Sequence, residues 1–155
     1  MAIEMREAAQ LDARAISHVI IAALRTTNTK DYSRDVIERV EKSFSTSAVA
    51  DFIGKRIVFV ALQDQAVVGT ASLDGHVVRS VFVDPQAHRQ GIGRLLMSTV
   101  EQRATDLAIM TLRVPSSITA ERFYQKLGYS AVRETYHGEE RSIVMEQRLI
   151  DPDSV

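Results

Sequence analysis

Apolar residues change their spacing along the chain, and each change marks an element. Ile3, Met5 and their neighbours up to Glu7 predict a short first strand. From Asp12 the period becomes helical, because Ile16, Val19, Ile20, Ala23 and Leu24 share one face. The polar run Thr26-Thr27-Asn28-Thr29-Lys30-Asp31 breaks that helix, and Val36, Ile37 and Val40 predict a second short one ending before Ser43. Between 43 and 55 no period is legible. From Ile57 the pattern is extended: apolar runs over 57–62, 66–73 and 76–83 are separated by Asp64-Gln65 and Asp74-Gly75. Asp-Gly between β-branched runs signals a tight hairpin, since both central positions of the favoured turn need positive φ. Three sequential antiparallel strands are expected.

After Pro85 a glycine-bearing loop leads into Leu95, Leu96, Thr99 and Val100 at helical spacing. A strand is expected over 109–114, then a loop at Pro115-Ser116-Ser117, then a helix over 120–127 that Gly128 terminates. Residues 130–137 and 142–148 then pair around Gly138-Glu139. The order β, α, α, βββ, α, β, α, ββ describes a mixed α/β fold in one domain, in which only the strands joined by the first crossover helix must run parallel.

The 155 residues are 45% apolar and 25% charged, and a chain of this length buries about 70% of its unfolded surface without staples. Cysteine is absent, which removes disulfides, thiolate zinc sites and a cysteine nucleophile, and points to a cytoplasmic protein. Lys plus Arg number 19 against 20 Asp plus Glu, so neither a nucleic-acid nor a membrane partner is expected. The acidic N-terminus does not read as a signal peptide, and the apolar run 16–24 is far short of the ~20 residues that cross a bilayer.

The sharpest chemical feature is Val81-Phe82-Val83-Asp84-Pro85-Gln86-Ala87-His88-Arg89-Gln90-Gly91-Ile92-Gly93-Arg94, a strand running through a glycine turn into a helix. Unpaired N–H groups and the helix dipole make such a turn an anion site, to which Arg89 and Arg94 add charge; the bland alternative is a glycine turn with solvated arginines. It is no dinucleotide fingerprint, for Leu96 stands where a third glycine belongs. It is no P-loop either, because Arg94-Leu95 follows Gly93. His18, His76, His88 and His137 lie too far apart for metal-ligand spacing, so no metal is expected, and no Gly-x-Ser-x-Gly elbow occurs.

The segment 81–104 resembles the acyl-CoA-binding segment of the GNAT superfamily of N-acetyltransferases. Ala120-Glu121-Arg122-Phe123-Tyr124-Gln125-Lys126-Leu127-Gly128-Tyr129 resembles that family's second signature. The likeness in element order spans residues 3–149 and implies a mostly antiparallel sheet with a splayed parallel pair at its centre, flanked by helices. It implies that main-chain groups of Val81, Phe82 and Val83 hold the pantetheine and thioester of acetyl-CoA. The turn Arg89, Gln90, Gly91, Ile92, Gly93, Arg94 would wrap the diphosphate. Ser117 stands where the family often has an Asn on the pantetheine, and Tyr124 where a Tyr often protonates the departing thiolate. His88 departs from the family's usual Arg or Gln, and Arg89 from its usual Gly.

Each assignment has a structural counterpart: Ser117 is equally an N-cap for the helix entering Ala120, and Tyr124 equally a core aromatic. A general base is not identifiable. Asp74, His76, Glu134 and His137 are candidates that also read as solvated hairpin residues. The acceptor wall is expected from 28–32 and 136–141, where Asp31, Glu139 and Glu140 suit a cationic amine. The implied reaction is direct acetyl transfer to a primary amine of a small molecule or peptide, and a homodimer is compatible with it. The competing reading is a non-catalytic acyl-CoA-binding regulatory module.

Overall fold

A computed structural model describes residues 2–27, 32–137 and 140–149, apart from the side chains of His137 and Glu140. Strands β1 (Ile3–Glu7), β2 (Ile57–Gln63), β3 (Ala66–Asp74), β4 (Val77–Val83), β5 (Thr111–Ser116), β6 (Ser130–His137) and β7 (Glu140–Arg148) form one sheet in the order β1-β2-β3-β4-β5-β7-β6. All neighbours are antiparallel except β4 and β5. The expected antiparallel meander with one parallel pair is therefore present.

Helices α1 (Ala13–Thr27), α2 (Arg34–Lys42) and α3 (Thr46–Lys55) cover one face of the sheet. There Ile16, Ile20 and Val49, none with measurable exposure, pack on Val58, Val60 and Leu62. Helices α4 (Ile92–Asp106) and α5 (Glu121–Lys126) cover the other, where Leu96 and Val100 meet Phe59, Ala61, Ala71 and Leu73. Covering both faces explains the nearly unbroken apolar run of β2, which successive residues send alternately to either core. Each large aliphatic side chain sealed in this way stabilises the fold by about 1.5–3 kcal/mol.

Three expectations need correction. Residues 46–55 form α3, begun by Ser45, whose Oγ accepts from the Ala48 N–H at 3.2 Å. The β3–β4 turn has Gly75, at φ 61°, as its first central residue with Asp74 and Val77 paired, so only one positive φ is needed rather than two. By contrast, both residues of the β2–β3 turn, Asp64 and Gln65, adopt positive φ of 52° and 67°.

The third correction bears on function. β5 continues through Pro115 and Ser116, which were expected in a loop and instead oppose Val144 and Ile143 of β7. Proline is tolerated because β5 is paired on one side only beyond Arg113. The parallel contact between β4 and β5 has a single registered pair, Val77 with Arg113, supported by the Arg113 N–H donating to the His76 carbonyl at 3.0 Å. A bulge in β4, with Ser80 at φ 56°, shifts its register on β3 just after that point. From Val78 onward the facing edges of β4 and β5 have no strand partner in each other, which leaves a wedge at the centre of the sheet.

Candidate active site

The wedge opens toward the turn between β4 and α4. Asp84 Oδ1 accepts from the Gln86 N–H at 2.9 Å and closes a 3-10 turn over Pro85–Ala87. Arg89 and Gly91 then adopt left-handed conformations, φ 67° and 74°, before α4 begins at Ile92. Alternating left- and right-handed residues turn successive N–H groups toward one concavity. The N–H groups of Arg89, Gln90, Gly91, Ile92, Gly93 and Arg94 donate to no acceptor among the described residues, and the first helical bond comes from Leu95 N–H to Gly91 O at 3.0 Å. Six adjacent donors at the positive end of a fifteen-residue helix fit a diphosphate.

The two glycines serve different ends, which the sequence did not separate. A Cβ on Gly91 would meet nothing within 4 Å, so that position needs glycine for its positive φ and stays open to a ligand. A Cβ on Gly93 would lie 3.1 Å from Phe123 Cζ. Gly93 therefore lets α4 approach α5, and only Gly91 leaves open space where a Cβ would stand. Gln90 also orders the turn, its Oε1 accepting from Gln63 Nε2 at 2.8 Å. Arg89 and Arg94 are exposed beside it.

The side chains of Val81 and Val83 pack toward the α4 core and that of Phe82 toward the α1–α3 core. Their side chains being occupied, what these residues offer the wedge is main chain. Behind them lies a cavity of about 190 Å³, reached by Val81, Phe82, Ser117 and Tyr124 among others. Of the neighbours Phe123 and Tyr124, Tyr124 is the one turned inward, at 4% exposure, with its ring edge-on to Phe123 and Tyr129 at centroid distances of 5.1 and 5.9 Å. It is thus both a core aromatic and a cavity residue. Its hydroxyl bonds to no described residue, yet no buried polar side-chain atom among the described residues lacks a partner, so that hydroxyl opens on the cavity. Burial pushes the Tyr124 phenol well above the ordinary tyrosine range, keeping its proton in place at neutral pH. Tyr129 is held otherwise, its hydroxyl donating to Glu101 at 2.6 Å.

Ser117 Oγ accepts from the Ala120 N–H at 3.2 Å and closes the turn leading into α5; the helix itself has Ala120 as its N-cap, so the expected helix cap is a turn cap instead. Tyr32 was not expected as a site residue beyond marking the end of the acceptor wall. Its hydroxyl accepts from the Ile118 N–H at 2.8 Å and donates to the Arg141 carbonyl at 3.0 Å, tying the segment before α2 to both the β5–α5 loop and β7. Nothing in its sequence neighbourhood signals this.

The base candidates fare unevenly. Asp74 pairs with Arg79 at 3.1 Å on the hairpin end, and His76 is exposed there. Glu134 is bound by Arg141 and by the Tyr136 hydroxyl at 3.3 Å; the Arg141 contact holds its carboxyl below the usual range and makes it a poorer base. None of these three reaches the cavity. The His137 side chain, residues 28–31 with Asp31, Gly138, Glu139 and the Glu140 side chain lie outside the described residues. Among the described residues no group of three or more His, Cys, Asp or Glu is placed to hold a metal ion, and no helix is long and apolar enough to cross a membrane.

An unengaged amide cradle at a helix start leads into a splayed sheet with a buried phenol at its far side, an arrangement with room for an extended anionic ligand. Residues 28–145 match the family model of the acetyltransferase (GNAT) domain. The chain is 26% identical over 132 residues to YafP, an uncharacterized N-acetyltransferase of Escherichia coli strain K12, covering 85% of this chain and 84% of that one. It is 32% identical over 101 residues to the peptidyl-lysine N-acetyltransferase YjaB of Salmonella typhimurium strain LT2, covering 64% and 68%. The PaiA N-acetyltransferase of Thermoplasma acidophilum, solved in complex with coenzyme A, superposes with a TM-score of 0.82 at 19% identity, over 96% of this chain and 99% of that one. The chain belongs to the GNAT family, and it is an N-acetyltransferase with acetyl-CoA as its cosubstrate.

Proposed function

We propose that the enzyme moves an acetyl group from acetyl-CoA directly to a primary amine of a small molecule or peptide, with the diphosphate on the amides of Arg89 to Arg94 and Tyr124 as the acid. The observation that carries this reading is the row of six unengaged N–H groups leading along β4 to the open Tyr124 hydroxyl. The unpaired edge of β4 at Val81, Phe82 and Val83 receives the pantetheine as a sheet receives an added strand, with Ser117 on its other side. One N–H of that edge steadies the carbonyl oxygen while the amine nitrogen bonds to the carbonyl carbon. The carbon–sulfur bond then breaks, the nitrogen, now cationic, loses its surplus proton to water, Tyr124 gives its own proton to the departing sulfur, and a proton from that water restores the phenol.

No carboxylate or imidazole among the described residues lines the cavity, so the ammonium proton leaves through water before attack. Positioning and electrostatics supply the rate, without a covalent acyl-enzyme. That relatives such as YjaB carry the name peptidyl-lysine N-acetyltransferase supports an amine acceptor. The test is a broad amine screen read by free-thiol release from acetyl-CoA. Release with at least one amine, lost in Tyr124→Phe, supports the reading; acetyl-CoA binding with no release from any amine would replace it with the regulatory module.

A further inference from the structure

The acceptor end of the cavity has a chemical character that the reaction does not dictate. Its walls are Leu24 of α1, Val36, Ile37 and Val40 of α2, and Phe44, whose ring meets Phe82 edge-on at 5.6 Å. No charged or imidazole side chain among the described residues lines it. The hydroxyls that do are largely committed: Ser116 donates to the Ser117 carbonyl at 2.8 Å, Ser80 accepts from Arg56 at 3.3 Å, and Tyr32 makes the two bonds given above. The adjoining surface depression, which shares Tyr32 and Ile37, does carry acids, but Glu41 already pairs with Arg25 and Glu38 with Arg34.

An ammonium group on a long hydrated side chain gains nothing from such walls and loses its water. An apolar group gains in proportion to the apolar area it buries there. We therefore infer that the acceptor is a small primary amine with an apolar body, of aryl-alkyl or branched alkyl type, which packs between α2 and Phe44 and presents a neutral nitrogen toward Tyr124. This rests on the acetyl-transfer reading and narrows it. The volume sets the size: about 150 Å³ suffices for benzene in an engineered protein cavity, and the whole cavity, donor side included, is about 190 Å³, so the apolar body of the acceptor is one ring or smaller.

The experiment compares phenethylamine and isopentylamine with spermidine and Nα-acetyl-lysine amide as acceptors for the full chain, by thiol release from acetyl-CoA. The apolar amines are expected to show kcat/KM at least tenfold higher. Equal or reversed efficiencies overturn this inference and leave acetyl transfer standing; no release from any of the four overturns this inference too, and acetyl transfer itself falls only when the broad amine screen is also silent despite acetyl-CoA binding. Val40 is only half-buried, so Val40→Glu tests the wall with little risk to folding, its melting curve serving as the check. It should cut kcat/KM for phenethylamine about tenfold and raise it for spermidine; an unchanged ratio between the two amines would place the acceptor elsewhere.

Discussion

The two ends of the cleft are made from different parts of the polypeptide. At the end we assign to the donor, one continuous stretch from Val81 to Arg94 offers main-chain groups, and its side chains mostly pack or point to solvent. At the acceptor end, the surface consists of side chains from α1, α2, Phe44 and Ser142 of β7, which are distant in sequence. A site built of backbone is written locally, in a strand, a glycine and a helix start. A site built of side chains exists only once the whole chain has folded, and it is free to vary without disturbing the first.

The comparison can be broken most sharply at Tyr124, where the two ends meet. Tyr124→Phe keeps the ring and removes the acid, so kcat should fall about 10²-fold or more while the acetyl-CoA Kd stays within twofold, measured by steady-state kinetics and calorimetry. An unaltered kcat would take Tyr124 out of the chemistry. Because burial favours the neutral phenol, its proton persists through and beyond the pH at which free tyrosine ionises, about 10. The wild-type rate should therefore show no alkaline fall from this group below about pH 10; such a fall that vanished in Tyr124→Phe would contradict the assignment.

A smaller effect is expected at the backbone end. Asn and Asp both tolerate the left-handed conformation of Gly91, so the pair Gly91→Asn and Gly91→Asp isolates charge. The Asp variant should bind acetyl-CoA about tenfold more weakly than the Asn variant, which corresponds to about 1.4 kcal/mol. Equal affinities would move the diphosphate away from this turn.

Tyr32→Phe probes the far end. It leaves the Ile118 N–H and the Arg141 carbonyl without their shared partner, which should cost about 1–3 kcal/mol of stability in denaturant titration and raise the acceptor KM while sparing acetyl-CoA affinity. Loss of donor affinity instead would show that the two ends are not separable. The smallest change is expected for Arg89→Gly. Relief of a strained φ of 67° outweighs the added chain entropy by at most about 1 kcal/mol, so the melting temperature should hold or rise slightly. If acetyl-CoA binding collapsed in this variant, the arginine charge rather than the main chain would be holding the anion.

The difference between the two ends also governs how much of each is legible in the sequence alone. The β2–β3 turn, the glycine stop after α5 and the strand–turn–helix at Val81 to Arg94 each depend on neighbours in sequence, and each is where the residues placed it. Helix α3 was illegible because only Val49 and Phe52 are deeply buried in its ten residues, too sparse a stripe to show a period. Pro115 reads as a strand breaker unless one knows that β5 has lost its neighbour, a fact about the sheet and not about the segment. Gly93 looks like a phosphate glycine until Phe123 is seen against it. The acidic residues expected along the acceptor wall, Asp31, Glu139 and the Glu140 side chain, lie outside the described residues, and the apolar wall that the described residues form comes from helix faces whose inward direction only the fold decides.

The solitary Val77–Arg113 pairing has a thermodynamic corollary. With the central seam stitched at one point, the protein lacks several sheet hydrogen bonds that an unbroken sheet would own, and the donor is the piece that can supply them. Bound cosubstrate would then act as a keystone, and the melting temperature should climb with its concentration as RT ln(1 + [L]/Kd), with amides of β4 and β5 slowing in hydrogen exchange as it does so. Folding strength and metabolic acetyl-CoA supply would be read on one scale.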